Sequence, residues 1–500
     1  MRSETLTLVL VNLAGIMERA DESLLPGVYR KVGAALHTDP TGLGSLTLIR
    51  SAVQSCCYPV AAYLATRHDR ARVIALGAFL WAAATFLVAV SSTFLQVAIS
   101  RGLNVVGLAI VIPAIQSLIA DCTDESNRGM AFGWLQLTGN LGSIFGSLCS
   151  FLIASTSFLG IPGWRIAFHL VGLVSVVVGI LVQLFASDPQ FSDDSNLVKD
   201  RNSHKPFWSD VKDLVKESKS VIRILSFQII VAQGVFGSFS GSALSFAPMW
   251  LELIGFSHST TALLMTVYII AFSLGGLFGG WMGDVLAKHL PNSGRIILSQ
   301  ISTASAIPLA AILLLALPDD PSTAFMHGLV LFIMGLCTSW CAPATNNPIF
   351  AEIVPEKSRT SIYALDNSFE SILASFAPPL VDRDLTDREN AASLAKALYA
   401  AMGIPMAICC FIYSFLYCTY WRDREHARMD VLTEMQQIEV DSPYTGEDIT
   451  DLDASIANGA YEKARSTIDR DYGTEEWVDL DDNDEKSLLS RQQTLTDIGE

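Results

Sequence analysis

The chain has 500 residues, of which 51% are hydrophobic and only 17% are charged, a balance that argues against a soluble globular protein. The formal net charge of −17 is unevenly placed, because residues 422–500 carry 22 acidic and 8 basic side chains while the rest of the chain carries 28 and 25. The acidity therefore belongs to the C-terminal tail, and the composition of the remainder does not indicate a nucleic-acid-binding protein.

Apolar runs of about 20 residues recur along most of the chain. A helix that rises roughly 1.5 Å per residue needs about this length to cross the roughly 30 Å hydrocarbon core of a bilayer. The sequence therefore predicts an all-α polytopic membrane protein with twelve transmembrane helices in two bundles of six. The predicted runs are 5–29, 43–65, 73–91, 94–120, 130–155, 164–186, 222–250, 259–283, 296–317, 324–350, 361–380 and 394–421.

Polar segments divide the chain into four parts. We predict a six-helix bundle at 1–186, a cytoplasmic linker at 187–221 and a second six-helix bundle at 222–421. Within the linker, the stretch WSDVKDLVKESKS is typical of a short amphipathic surface helix. The acidic tail, 422–500, has few long apolar runs and is predicted to be disordered.

The first run carries charged residues near its middle, in the segment IMERADESLLPG. A charge at the bilayer centre costs roughly 2.5–3.5 kcal/mol, so these side chains must face a polar cavity or partners. Glu18, Asp21 and Glu22 share one helical face, whereas Arg19 projects about 100° away from it. Two interpretations stay open. The charges either pin the first helix to its neighbours, or Glu18 takes up and releases a proton, because burial and a nearby arginine act on a carboxyl group in opposite directions.

Other runs also contain ionisable residues. Arg50 in the second run either contacts an anionic substrate group or neutralises the acidic face of the first helix. Asp366 and Glu370 share a face of the eleventh run, where they either line a water-filled cavity or are solvated near the cytoplasmic mouth. Weaker polar candidates are Gln228, Gln233, Asn346 and Asn347. The candidate substrate and proton-coupling residues are Glu18, Arg19, Glu22, Arg50, Arg101, Asp366 and Glu370.

A short charged signature occurs at the end of the fourth run of each half. Asp121 is followed seven residues later by Arg128, and Glu352 is followed seven residues later by Arg359. We interpret this repeat as the mark of a duplicated membrane transporter. Basic residues favour the even-numbered connections, so the positive-inside rule predicts that both termini are cytoplasmic. The sequence leaves open whether the membrane is the plasma membrane or an internal one.

These features resemble the major facilitator superfamily over roughly residues 4–421. The loop GGWMGD resembles the G-x-x-x-D signature of that family from Gly280 to Asp284, although Thr66 replaces the aspartate in the first-half counterpart. RGLNVVGLA resembles the family's R-x-x-x-G-x-G run in helix four and keeps Arg101. Within the superfamily, NLAGIMERADESLLPG resembles the first helix of spinster-like transporters.

The resemblance implies alternating access around a site near the bilayer midplane, between the two halves. It also implies that Arg101 takes part in proton coupling, and that ion pairs near the helix ends hold the cytoplasmic side closed. We expect Asp121 to pair with Arg70 or Arg72, and Glu352 with Arg359 or Lys357; the alternative is that these charges only set topology. The predicted gating residues are Arg70, Arg72, Asp121, Arg128, Asp284, Glu352 and Arg359.

The function predicted from these features is secondary active transport, coupled to protons, of a small organic solute such as an organic anion or a lysolipid-like amphiphile. The alternative is a non-transporting membrane sensor or scaffold that signals through the acidic tail to a cytosolic partner. We do not expect an enzyme, a cofactor or a metal site, because the sequence contains no G-x-S-x-G, no phosphate-binding glycine loop and no His/Cys metal spacing. The expected partners are the substrate, protons and the lipid bilayer.

Overall fold

The computed structural model is almost entirely helical. Contacts divide the chain into two units, Met1–Leu432 and Thr433–Glu500, and the features discussed below belong to the first unit. The prediction that the tail is disordered throughout 422–500 is wrong for its first residues, because the helix Leu416–Val440 continues through 422–440. Residues 441–500, part of the linker and the end of the eleventh run lie outside the described residues. The structure describes residues 2–36, 40–65, 67–154, 156–158, 160–189, 207–374 and 391–440.

The first half forms six long helices, and each covers one predicted run. Local capping starts two of them: the Asp69 side chain accepts a hydrogen bond from the Ala71 backbone N–H, and Thr93 forms a capping box with Gln96. The helices are α1 (Arg2–Leu36), α2 (Pro40–Ala65), α3 (Arg70–Val90), α4 (Phe94–Asp121), α5 (Arg128–Ala154) and α6 (Gly163–Phe185). Strands β1 (Ser157–Phe158) and β2 (Ile161–Pro162) form a small antiparallel hairpin between α5 and α6.

The second part of the chain begins with the amphipathic linker helix that the sequence predicted. It continues with helices that cover the described part of all six remaining runs. These helices are α7 (Phe207–Ile222), α8 (Leu225–Leu244), α9 (Ala247–Leu253), α10 (His258–His289), α11 (Gly294–Ala311), α12 (Ala324–Thr338), α13 (Asn347–Glu352), α14 (Arg359–Ala374), α15 (Ala391–Tyr413) and α16 (Leu416–Val440).

The predicted run 324–350 is not one regular helix. A π-helical turn, Cys341–Asn346, separates α12 from α13. Pro343 lies inside this turn and has no backbone N–H to donate, so the regular helical hydrogen-bond ladder cannot pass through it unchanged. The break presents the side chain of Asn346 between the two helical segments.

Eight helical segments in the described part of the chain are long and apolar enough to cross a membrane. Helix α1 is not one of the eight, since its middle carries Glu18, Arg19, Asp21 and Glu22. The charge that lowers the hydropathy of α1 is the same charge that makes it a candidate functional helix.

Glycines allow helices to approach closely at two seams. On one side of α5, a Cβ at Gly146 would overlap the carbonyl oxygen of Ala20 in α1. On another side, a Cβ at Gly280 of α10 would overlap the carbonyl oxygen of Gly129 in α5. The small-residue spacing therefore packs α5 against its own half and against the other half.

Candidate functional site

Four charged side chains of α1 and α2 form a connected network. Arg50 donates a hydrogen bond from Nη2 to Glu22 Oε1 at 2.6 Å, and Arg19 Nη1 lies 3.1 Å from Glu22 Oε2. Arg19 also pairs through Nε with Glu18 Oε2 at 3.3 Å. Of the two interpretations of Arg50, the geometry therefore matches neutralisation of the acidic face of α1.

Glu18 and Arg19 differ sharply in exposure although they are sequence neighbours. The Glu18 side chain is 5% exposed, while the Arg19 side chain is 50% exposed. Among the described residues, none donates a hydrogen bond to the buried Oε1 atom of Glu18. One carboxylate oxygen is thus held by Arg19, and the other is buried without a donor from the described chain.

Asp21 is the centre of a second buried network, which joins α1 to α3 and α4. Its carboxylate lies 3.5 Å from Arg101 Nη1 and accepts hydrogen bonds from Asn104 at 2.9 Å and from Thr85 at 2.5 Å. The sequence placed Asp21 on the acidic face but did not assign it to the site. The available signal was Asn104, which follows Arg101 by one helical turn and shares its face.

The acidic pair in the second half has a different environment. Asp366 is buried, and its Oδ1 atom accepts no hydrogen bond from the described residues. Glu370 follows one helical turn later on the same face, and within the described ranges no cationic side chain pairs with either carboxylate. The Glu370 carboxylate lies against Gly234 of α8, where a Cβ would collide with it.

A polar cluster of uncharged side chains lies where the break in the tenth run meets α8 and α15. The Tyr413 hydroxyl lies 2.8 Å from Gln233 Oε1 and 2.8 Å from Asn346 Oδ1. Asn346 also donates from Nδ2 to Gln233 Oε1 at 3.1 Å. The sequence offered Gln233 and Asn346 as weak candidates, whereas Tyr413 was missed because a tyrosine in an apolar run carries no distinguishing pattern.

At one end of the bundle, charged side chains of both halves meet. We call this region the charged end and define it by Arg70, Asp121, Arg128, Asp284, Arg295, Glu352 and Arg359. Within each half, an arginine at the start of the third helix contacts the acidic residue that ends the fourth. Arg70 forms an ion pair with Asp121, and Arg295 Nε lies 3.5 Å from Glu352 Oε1.

The repeated arginines at the start of the fifth helix of each half also have equivalent contacts. Arg128 donates from Nε to the carbonyl oxygen of Ala120 at 3.3 Å, and Arg359 donates from Nε to that of Ala351 at 3.1 Å. The sequence repeat is therefore also a structural repeat.

The halves exchange partners across the charged end. Arg359 pairs with Asp121 of the first half, and Arg128 Nη1 lies 4.0 Å from Glu352 Oε1 of the second half. Glu352 therefore contacts Arg295 and Arg128, and the expected pairing of Glu352 with Arg359 is wrong. The sequence suggested the pair within one half, but the close packing of α4 against α14 brings Arg359 to the other half.

Asp284 joins the halves through a helix N-terminus. Its two carboxylate oxygens accept hydrogen bonds from the backbone N–H groups of Gly129 at 2.9 Å and Met130 at 2.8 Å, in the first turn of α5. Arg295 donates to the same carboxylate at 3.1 Å. A carboxylate at this position is favoured because it satisfies N–H groups that have no partner within the helix. The first-half counterpart, Thr66, lies outside the described residues.

Two residues of the charged end, Arg295 and Asp188, were not predicted from the sequence. Arg295 occupies the position in the second half that Arg70 occupies in the first. Asp188, just after α6, accepts hydrogen bonds from the backbone N–H, Nε and Nη2 of Arg70 at 2.9, 2.8 and 2.5 Å. Arg72, by contrast, is 78% exposed and lies 4.0 Å from Asp69. Of the two expected partners, Arg70 and Arg72, it is therefore Arg70 that pairs with Asp121.

Two repeated six-helix halves, charged residues inside the spans and reciprocal contacts between the halves define a polytopic transport protein. The family model of the Major Facilitator Superfamily matches residues 11–378. The chain belongs to this superfamily, as the predicted resemblance indicated.

Relatives and solved structures are similar over most of the chain. An "MFS-type efflux pump" of Mycolicibacterium smegmatis is 26% identical over 381 residues, which cover 73% of this chain and 81% of the relative. The human organic anion transporter MFSD10 (TETRAN) superposes with a TM-score of 0.62 at 13% identity, covering 82% of this chain and 99% of that one. A bacterial homolog of the human lysosomal transporter Spinster, inward-facing and occupied, gives a TM-score of 0.54 at 16% identity, with 85% and 99% covered.

Proposed function

We propose that this superfamily member is a proton-coupled secondary transporter that moves a small organic solute by alternating access. The observation that carries the proposal is the exchange of ion-pair partners at the charged end. Arg359 with Asp121, and Arg128 with Glu352, connect opposite halves. Such contacts must separate when the halves rock apart and re-form when they close, which is the behaviour of a gate. Asp284, which accepts hydrogen bonds from the first turn of α5 in the other half, supports the same closed end.

The excess of basic residues in the even-numbered connections supports a cytoplasmic position for the charged end and both termini. With that orientation, the conformation described here is closed towards the cytoplasm. The protein is then a multi-pass protein of the plasma membrane or of an internal membrane, and its acidic tail is available to a cytosolic partner.

We assign proton coupling to Glu18, whose protonation is controlled by the position of Arg19. One oxygen of Glu18 is buried without a donor from the described residues, and the other contacts Arg19, whose side chain is half exposed. A buried carboxyl group is stabilised either by a cation or by a proton, so movement of Arg19 exchanges one for the other. Asp366 and Glu370 are a second candidate proton-carrying pair, and Arg101 with Asp21 connects α1 to the fourth helix.

The substrate assignment rests on Arg19. Arg50 and Arg101 contact carboxylates of α1 and are largely buried, whereas the Arg19 side chain is half exposed although it also contacts two carboxylates. A guanidinium binds carboxylate or phosphate groups, so an organic anion or a lysolipid-like amphiphile fits this position. The likeness to an organic anion transporter and to a spinster homolog supports the same substrate classes.

The test is uptake by purified protein in liposomes under an imposed inward proton gradient, with organic anions and lysolipids as candidate substrates. The wild-type protein should accumulate at least one of them against its gradient. Glu18→Gln should abolish accumulation because the amide cannot exchange a proton. The matched control is Glu252→Gln, which changes an exposed carboxylate in α9 and should accumulate substrate like the wild type.

Two results would contradict parts of the proposal. Undiminished accumulation by Glu18→Gln would remove the proton role of Glu18 and leave transport standing. Absence of flux for every candidate, from protein that unfolds cooperatively on heating, would contradict transport and favour the sensor alternative.

A further inference from the structure

Helix α7 lies across the junction between the two halves. It packs against α2 of the first half and α14 of the second, and against the start of α8. Leu214 contributes to a cluster that contains Tyr58 and Ala62 of α2 together with Ala364 of α14. The apolar side of the linker helix therefore seals a contact that both halves share.

A different face of α7 is exposed and basic. Lys212, Lys216 and Lys219 are exposed at positions i, i+4 and i+7, so they form one stripe along the helix. Val215 borders this stripe and is 61% exposed. None of the three lysines forms an ion pair with a carboxylate in the described parts of the chain.

We propose that this stripe of α7 binds the anionic headgroups of the membrane surface. Only Arg223 and Ile224 separate α7 from α8, which belongs to a predicted membrane span, so α7 lies close to the headgroup region. An exposed valine flanked by lysines with long apolar stems is the composition of a helix at a bilayer surface. The charge of the stripe is complementary to anionic lipid, whose surface attracts basic segments next to a membrane span.

Lipid contact and closure of the charged end are then linked, because one rigid helix carries both surfaces. Leu214 can contact α2 and α14 at the same time only while these two helices are packed against each other. Lipid that holds α7 in this position therefore favours the closed state. This consequence rests on the alternating access proposed above, whereas the lipid contact itself does not.

The test compares the full chain in nanodiscs of phosphatidylcholine alone and of phosphatidylcholine mixed with phosphatidylserine. Backbone hydrogen exchange in α7 should be slower by about tenfold in the anionic discs, and added salt should remove the difference because it screens the lysines. The triple variant Lys212→Gln, Lys216→Gln, Lys219→Gln should exchange equally fast in both. Lys288→Gln, an exposed lysine of α10, should behave like the wild type.

Equal exchange of wild-type α7 in both discs would overturn the proposal and leave a protein partner as the occupant of the stripe. A lipid effect that persists in the triple variant would also overturn it, because the lysines would then not be responsible. The experiment contains no transport substrate, so its outcome is independent of whether the proposed transport is found. A lipid effect combined with absence of flux would keep the lipid contact and reject the transport function.

Discussion

Arg359 in the second half of the chain pairs with Asp121 in the first half, 238 positions away. Asp121 also pairs with Arg70 of its own half, so one carboxylate joins an intra-half contact to an inter-half contact. Arg128 and Glu352 repeat the arrangement with the halves exchanged, at 4.0 Å. Reciprocal contacts of this kind are expected at an interface between two similar halves related by approximate two-fold symmetry.

The glycine seam between α5 and α10 should be sensitive to a single methyl group. Gly280→Ala places a Cβ against the carbonyl oxygen of Gly129, whereas a Cβ at Gly102 meets no atom within 4 Å. We expect Gly280→Ala to destabilise the protein by about 1–3 kcal/mol, because the backbones must move apart. Thermal unfolding in detergent measures the effect, and Gly102→Ala is the control. Equal melting temperatures for the two variants would show that the seam tolerates a wider spacing.

The buried pair of Asp21 and Arg101 should contribute to both stability and transport. Asp21→Asn removes the negative charge that faces Arg101 and should cost about 3–5 kcal/mol, because a buried guanidinium loses its carboxylate partner. Adding Arg101→Gln to this variant should restore part of the stability without restoring proton-driven accumulation. Thermal unfolding and liposome uptake separate the two effects. Full uptake by the double variant would restrict the pair to a structural role.

Asp188 should hold Arg70 in place at the charged end. Its side chain is fully buried and accepts three hydrogen bonds from Arg70. Asp188→Asn should loosen Arg70 and expose the neighbouring charged end, because an amide replaces a carboxylate that accepts at two oxygens. The exposed Asp319→Asn is the matched control.

Cys122 provides the readout for the Asp188 variant. It follows Asp121, and burial raises the pKa of its thiol to about 12, so little of the reactive thiolate is present at neutral pH. Opening of the charged end should lower this pKa towards its ordinary value. In a background without the exposed Cys56 and Cys418, maleimide should label Cys122 at least about tenfold faster in Asp188→Asn. An unchanged labelling rate would contradict an anchoring role for Asp188.

Much of the fold was predictable because membrane spans depend on local composition. An apolar run of sufficient length specifies a helix wherever it lies, so the described part of every predicted run is mostly helical. The interruption at Cys341–Asn346 was less predictable. Proline occurs inside several other spans, including Pro113 of α4, without ending the helix, so Pro343 alone did not identify the break.

The candidate residues were predictable by type, and their partners were not. A charge inside an apolar run, such as Arg101 or Asp366, is conspicuous because it is costly in lipid. Its partner depends on which helices pack together, as the pairing of Arg359 with Asp121 shows. Asp188 was missed because it stands at the start of a polar linker, where an aspartate is ordinary. The resemblance between Arg295 and Arg70 was available in the repeat, since each begins the third helix of its half.

The most direct test of gating by the charged end is a distance measurement between the halves. Spin labels at Arg72→Cys in α3 and His289→Cys in α10 report the distance between the two halves at the charged end. Both positions are exposed, and they belong to different halves. In a labelled chain that otherwise carries only the replacement of Cys56 and Cys418, we expect a single short distance between the labels to dominate the distribution. Arg359→Gln should add a longer distance, while Arg422→Gln, which changes an exposed arginine of α16, should not. An identical distance distribution in Arg359→Gln would contradict the claim that Arg359 and Asp121 hold the two halves closed.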